Sequence, residues 1–453
     1  MSIDTDYPRT LIVGAHFTEQ SGSGIYVGRL FCNWPIDHLA TLCNGNLVPN
    51  WKHCTRHFRT GGFRFPLNVL LNPIFPFMRS GPVLPSAVVA FPKPPATIPA
   101  RSFPKRLFTR QRLQKFFHLL GGRELLCSVA LSPLLLGWVR SYKPEVLYGH
   151  CSDLHSVLLL RRLQKTLGLP LVLHFMDDWV NTNYHRGWIA KIFRTRFQSE
   201  FRALVHSASV CVAICREMAE EYESRHQRKI LWLPMPVDIV AYQGKARNQW
   251  TAGKPFSLRY GGRVDWAVRD SLVDIAQAVH SLRKGGADIV LNLATFQMDQ
   301  LPVACRNLSG VEMQIPGVLT DLPRLQAEVD VLVICYDFDS ISFQQAQYSM
   351  PSKMADCMAS GTPILVYGPA GLPVVEYARR EGWGMVVDQR DPIVLQNAVR
   401  ELLESSRLRE QLGRTAKRLA AKCHDAKVVS EEMRRIIATV AGNLMQKPNE
   451  VGK

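Results

Sequence analysis

The sequence predicts an α/β protein built from two doubly wound domains in tandem. Three observations carry that reading. Continuous apolar runs alternate with amphipathic helical stretches in both halves, the pattern of parallel sheets covered on both faces. The polar stretch "AYQGKARNQWTAGKP" (241–255) interrupts the alternation, which then restarts. Finally, 453 residues are too many for one comfortable core, so two domains of about 200 residues each are the natural division.

The elements follow in order. "TLIVGAH" (10–16) is an apolar strand, and Ser21-Gly22-Ser23-Gly24 is a glycine-rich turn into a helix from Ile25. "EVLYGH" (145–150) leads through a helix to "LVLHF" (171–175), and a helix near 188–206 precedes "SVCVAI" (209–214). Another helix and "KILWLP" (229–234) close the first half. The second half begins with "FSLRYGGR" (256–263) and a helix from Asp270. Strands follow at "IVLNLAT" (289–295), "VLVICYDF" (331–338), "PILVYG" (363–368) and "GMVVD" (384–388), with helical pieces from about Pro392 to Val440.

Composition excludes several classes. A hydrophobic fraction of 47% with 21% charged residues is that of a folded chain. The eleven cysteines are scattered without a CxxC pair, which argues for a reducing compartment and against a structural metal. The start, MSIDTDYPRT, carries two aspartates and no apolar core, unlike a signal peptide. The longest apolar stretch, near 127–139, is shorter than the ~18 residues that span a bilayer. A cytoplasmic protein is expected.

The net charge of +17 is uneven. Between Asp37 and Glu124 there is no acid, yet thirteen lysines and arginines, among them Lys52, Arg56, Arg106, Arg110 and Arg112. "FPLNVLLNPIFPFM" (65–78) and "FFHLL" (116–120) are interleaved with them. Such a segment, 52–120, suits an anionic membrane surface. A solvated basic loop is the plainer alternative. Nucleic acid is not expected, since no regularly spaced binding motif accompanies the charge.

The richest local signal is "YSMPSKMADCMASGTPIL" (348–365). Pro351 suits a first helical position, and the Ser352 hydroxyl, the Lys353 ammonium and free backbone N–H groups favour a dianion there. Asp356, one turn on, is able to accept from two ribose hydroxyls. An ordinary capped helix with a Lys353–Asp356 ion pair fits equally well. "YGGR" (260–263) ends the second domain's first strand: Gly261 and Gly262 permit close approach of backbone to ligand, and Arg263 offers a forked donor for phosphate oxygens. Gly22 and Gly24 form a similar turn in the first domain. In open α/β sheets ligands gather at these strand ends.

These motifs resemble the donor-binding half of GT-B nucleotide-sugar glycosyltransferases, of the retaining family-4 type. The likeness spans nearly the whole chain and is strongest from Tyr260 to Asp388, where "YGGRVDWAVRDSLVDIAQAV", "PSKMADCMASGTPIL" and "GWGMVVDQRDPIVLQNAVRELL" follow in the family's order. The resemblance implies an acceptor-binding Rossmann-like domain at 1–238, with an insertion at about 50–120, and a donor-binding one at 239–425. It implies that 426–453 returns to the first domain and that "LWLPMPVD" (231–238) crosses between the two. By the same resemblance Asp356 takes the ribose, the segment Met350–Lys353 cradles the diphosphate, and Arg263 neutralises the leaving group. Tyr348 and Ser349 fall in the same pocket. Two positions depart from the family: Tyr348 stands where the first of two spaced glutamates is usual, and the lysine five residues after the arginine is missing, with Arg269 six on.

In the first domain His150, Asp177 and Asp178 end strands at "YGHCSD" and "LHFMDDW", with His16 a further candidate. A lone strand-end histidine is as readily a hydrogen-bonded core residue. Adjacent carboxylates after an apolar strand are costly unless solvated or paired, and they serve either as a helix cap or as part of a cleft. No Asp-x-Asp spacing marks a metal site, so no metal or cofactor is expected beyond a UDP- or GDP-sugar co-substrate. The function implied is sugar transfer to a hydroxyl acceptor, a lipid-linked saccharide or polysaccharide precursor of the cell envelope, at the inner face of a membrane. A UDP-sugar 2-epimerase of the same fold and a non-catalytic partner subunit are the alternatives.

Overall fold

A computed structural model describes residues 7–19, 21–44, 49–60, 62, 80–84, 129–184 and 188–445. Most of the cation-rich window, including Arg106, Arg110 and Arg112, lies outside the described residues.

Two sheets form. The first has eight strands: β1 (Thr10–Val13), β2 (Leu39–Asn44), β3 (Arg56–Thr60), β4 (Gly81–Val83), β5 (Val146–His150), β6 (Leu171–Phe175), β7 (Val210–Ala213) and β8 (Leu231–Trp232). Their order is β4-β3-β2-β1-β5-β6-β7-β8, parallel except for the antiparallel β3–β4 pair. The second contains β9 (Phe256–Gly261), β10 (Ile289–Ala294), β11 (Val311–Gln314), β12 (Val331–Cys335), β13 (Ile364–Tyr367) and β14 (Met385–Val387), ordered β11-β10-β9-β12-β13-β14 and parallel throughout. In each sheet the order reverses beside the first strand of its half, which opens a crevice at the strand ends where ligands bind in such folds.

Strands β5, β6 and β12 are buried at every residue, as expected of apolar runs covered on both faces. His174 sits inside β6 without penalty because both ring nitrogens are hydrogen-bonded, to Tyr26 Oη at 3.2 Å and Tyr148 Oη at 2.7 Å. Strands β2, β3, β4 and β11 escaped the sequence reading. Polar residues break up β3, which reads RHFRT, and the edge strand β11 is partly or fully exposed at every position, whereas β2, LATLCN, is buried from Leu39 to Cys43 and carried a run that was overlooked.

The helices that position the site are α1 (Gly22–Leu30), α2 (Leu154–Leu167), α3 (Trp188–Ser207), α4 (Arg216–His226), α5 (Arg269–Lys284), α6 (Met354–Ala359) and α7 (Ala426–Met445). Ser21 caps α1 by accepting from Gly24 N, and Asp153 and Ser156 close a capping box on α2. Helix α7 packs on α1 and against β5 and β6 of the first sheet. The two interdomain crossings run side by side: Val237 N donates to His424 O at 2.7 Å and Ala426 N to Val237 O at 2.8 Å. One apolar core runs from the first sheet into α6 and β13, so the two units share buried surface.

Candidate active site

The glycine turns and the 350–353 segment come together. Strand β9 ends at Gly261, whose carbonyl accepts from Lys353 Nζ at 3.3 Å. The same ammonium lies 3.8 Å from the centre of the Tyr260 ring, and Tyr260 Oη donates to Arg263 O at 2.5 Å. A Cβ on Gly262 would stand 3.3 Å from Lys353 Nζ, so the absence of a side chain there lets the lysine in. Burial holds the Lys353 pKa below the ordinary lysine value, and no carboxylate forms an ion pair with it among the described residues. From the first domain, Gly22 approaches so closely that a Cβ on it would lie 2.8 Å from Ser352 Oγ.

Beside this cluster Arg263 extends into solvent, 85% exposed and 4.0 Å from Asp265. Arg269, at the first residue of α5, keeps a buried Nε with no hydrogen-bond partner among the described residues. Asp337 accepts from the backbone N–H groups of Asp270 and Ser271, fixing the start of α5 at the end of β12. A small cationic corner results, made of the half-buried Lys353, the exposed Arg263, Arg269 and two glycine turns.

Asp177 faces it from β6. Ser349 Oγ donates to Asp177 Oδ1 at 2.6 Å across the domain boundary. Burial pushes the Asp177 pKa up to about 6, against the lowering pull of the Ser349 bond and Arg263. His150 is buried with Nδ1 against His174 O at 3.4 Å, and burial lowers its pKa to about 4, so the ring is neutral. His16 is also lowered by burial, and its Nε2 has no partner among the described residues.

Several expectations need correction. The expected helix start at Pro351 moves three residues: Met354 N bonds back to Pro351 O, 351–353 form a turn, and helix begins at Met354. Lys353 therefore points back to β9, and no Lys353–Asp356 pair exists. Asp356 is not poised for a ribose. Its carboxylate turns to Arg29 of the first domain, which donates to both oxygens, and Tyr242 Oη donates to Oδ1 at 3.1 Å. Asp178 is spoken for as well: Tyr222 Oη at 2.7 Å, Arg225 Nη1 at 2.9 Å and Asn181 Nδ2 fill its lone pairs, leaving it buried and structural. Gly24 faces inward, where a Cβ would meet Thr18 O at 2.4 Å, so it serves its own turn rather than a ligand.

Tyr348 and Met350 pack toward the first domain. Arg225 lies 5.0 Å over the Tyr348 ring, Cys215 Sγ donates to the Tyr348 carbonyl at 3.7 Å, and Met350 rests on the shared core. Sequence reasoning missed Arg29, Arg225, Tyr242 and Tyr260. Only Tyr260 carried a signal, its place beside the glycine pair. A polar groove of about 640 Å3, lined in part by Lys245, Arg247 and Arg324, holds none of the candidate residues. Among the described residues no group of His, Cys, Asp and Glu is arranged to hold a metal ion, and no helix is long and apolar enough to cross a membrane.

No family model matches the chain, and no curated protein matches its sequence. Solved structures do. A sucrose-phosphate synthase from Thermosynechococcus elongatus superposes with a TM-score of 0.61 at 13% identity, over 96% of this chain and 99% of that one. A glycosyltransferase from Rickettsia africae gives 0.58 at 11%, over 96% and 99%. Anabaena HepE in complex with UDP and glucose gives 0.56 at 13%, over 95% and 100%. With two doubly wound sheets, parallel but for the β3–β4 pair, and end-to-end superposition on these proteins, the chain has the GT-B fold.

Proposed function

We propose that this protein is a glycosyltransferase that moves a sugar from a UDP- or GDP-sugar to a hydroxyl acceptor. The observation that carries the reading is Lys353: a half-buried ammonium, under the Tyr260 ring and without a carboxylate partner among the described residues, that opens onto Gly261 and Gly262. A desolvated cation beside close-approach backbone is suited to a diphosphate. The fold supports it, and the similar HepE was crystallised with UDP and with UDP-glucose.

In this reading residues 239–425 hold the donor, 1–238 hold the acceptor, and 426–453 brace the first domain. Lys353, Arg263 and Arg269 stabilise the charge that grows on the β-phosphate as the glycosidic bond to the donor breaks. No metal is called on in this scheme. Asp177, at the meeting of the two domains, faces the sugar, and closure of the domains keeps water from the donor. The acceptor is a lipid-linked saccharide or polysaccharide precursor at the cytoplasmic face of a membrane, which the basic window 52–120 helps to approach.

The test is a melting-temperature screen of UDP- and GDP-sugars against wild type and Lys353→Ala. Stabilisation of the wild type by a nucleotide sugar, lost in the variant, is expected. Absence of any shift in the wild type overturns the reading. Nucleotide release that needs an acceptor separates a transferase from an epimerase, and no release at all marks a non-catalytic subunit.

A further inference from the structure

We infer that the outer face formed by α2 and α3 is a docking surface for anionic lipid. The two helices lie side by side and cross over between the adjacent parallel strands β5, β6 and β7, so right-handed connections place both on one face of the first sheet. Helix α2 carries Arg161, Arg162 and Lys165 and no acid. Helix α3 carries Lys191, Arg194, Arg196 and Arg202 with a single acid, Glu200, which is paired to Arg161.

Four of these cations, Lys165, Lys191, Arg196 and Arg202, are exposed and make no ion pair among the described residues. Ile192 stands among them, 60% exposed. Arg162 donates to the carbonyl of Val129 at 3.0 Å. Val129 is therefore held against this same face. The patch stops at α4, which carries four acids, Glu217, Glu220, Glu221 and Glu223, against two arginines, Arg216 and Arg225, and whose Glu217 meets Arg380 of the second domain.

Phosphate-rich partners divide into nucleic acid and membrane, and the side chains favour membrane. Single strands are held by aromatic rings that stack on bases. Here Phe197 and Phe201 are buried, and Phe193 leans on Tyr184. What α3 offers between its cations is an exposed aliphatic side chain, the usual composition of a helix face seated on anionic headgroups. Lying on α2 and α3, a bilayer would run alongside the strand ends that border the cleft. A lipid-linked acceptor would then reach the site without leaving the membrane, a consequence that rests on the transferase reading, while the docking itself does not.

The experiment is co-sedimentation of the full chain with vesicles of phosphatidylglycerol and phosphatidylcholine in equal parts, and with phosphatidylcholine alone. The fourfold variant Lys165→Gln, Lys191→Gln, Arg196→Gln, Arg202→Gln is expected to bind anionic vesicles at least about a hundredfold more weakly, from roughly fivefold per cation. Lys191→Gln with Arg196→Gln should fall between, and serves alone if the fourfold variant does not fold. Undiminished binding by either variant overturns the proposal, as does equal binding to neutral vesicles. So does tighter binding of the wild type to single-stranded RNA than to anionic vesicles. Nucleotide-sugar stabilisation, measured on the same variants, stays at its wild-type value, so a failed transferase reading is told apart from a failed surface.

Discussion

Arg29 of α1 and Asp356 of α6 form a two-pronged ion pair between the domains, with bonds of 2.7 and 2.8 Å and side-chain exposures of 15% and 7%. Arg29 is also held by Pro236 O at 3.2 Å, at the first crossing, and Asp356 by Tyr242 just beyond it. The carboxylate that family resemblance would assign to a ribose is thus a structural tie at the root of the two domains.

Removing either partner strands a buried charge, which typically costs about 3–5 kcal/mol. Arg29→Ala and Asp356→Asn are each expected to lower unfolding free energy by that order in urea titrations. Nucleotide-sugar binding, measured by calorimetry below the melting point, should survive in both. Binding lost in Asp356→Asn but kept in Arg29→Ala would restore the ribose role.

Lys353→Met keeps the stem and removes the charge. Loss of a charged hydrogen-bond donor is expected to weaken UDP binding by about 1.5–3 kcal/mol, roughly 10–150-fold in Kd. Uridine, which lacks phosphate, should show no change. Since the ammonium is half-buried, is held below its ordinary pKa by desolvation and has no carboxylate partner among the described residues, the apo variant should be no less stable than wild type, which a thermal melt reads directly.

Asp177 sets a pH dependence whose sign is unusual for a carboxylate. Its pKa is raised in the folded chain to about 6 from the ordinary 3.8, so between these values the native state binds more protons than the unfolded one. Its contribution to stability is present at pH 4 and is lost as the pH rises through about 6. Asp177→Asn should therefore flatten the stability profile between pH 4 and 6, compared by urea titration at each end. In the transferase reading, activity rises over the same interval as the carboxylate ionises, and an activity limb that persists in Asp177→Asn would remove Asp177 from the mechanism.

Gly22→Val tests the approach of the domains. A side chain there meets Ser352 Oγ, the end of a movable group, so folding should be nearly unaffected while the 350–353 segment is pushed from its place. Donor affinity should fall, and Ser352→Ala in the same chain should restore part of it, a coupling of about 0.5–3 kcal/mol in a double-mutant cycle. Additive losses would show that the two residues do not meet.

The sheets were legible because burial on both faces leaves a local mark: a run such as "VLYGH" or "VLVIC" has few other ways to be accommodated. Edge strands leave no such mark, and β11 shows why, since half its side chains meet water. The glycine turns were legible for a related reason, as Gly22 and Gly262 answer to steric demands at their own positions. Carboxylate roles were not. Asp177 and Asp178 are neighbours in sequence but point to different partners, one to Ser349 across the boundary and the other to Tyr222 and Arg225 within its own domain. Helical spacing names a residue's neighbours on its own helix, and nothing in 348–365 announces that Arg29, more than three hundred positions away, would claim Asp356.

The paired crossings at Val237 and Asp425 have a mechanical consequence. Two covalent straps fastened along one line resist sliding and stretching more than bending, so a swing about that line, like that of a book's covers about its spine, is the motion they oppose least. Arg29, Pro236 and Tyr242 sit at that spine, where a swing displaces atoms least, while Ser349 and Asp177 sit out on the pages. A swing about that line would break the outer Ser349–Asp177 bond first and leave the inner Arg29–Asp356 pair whole.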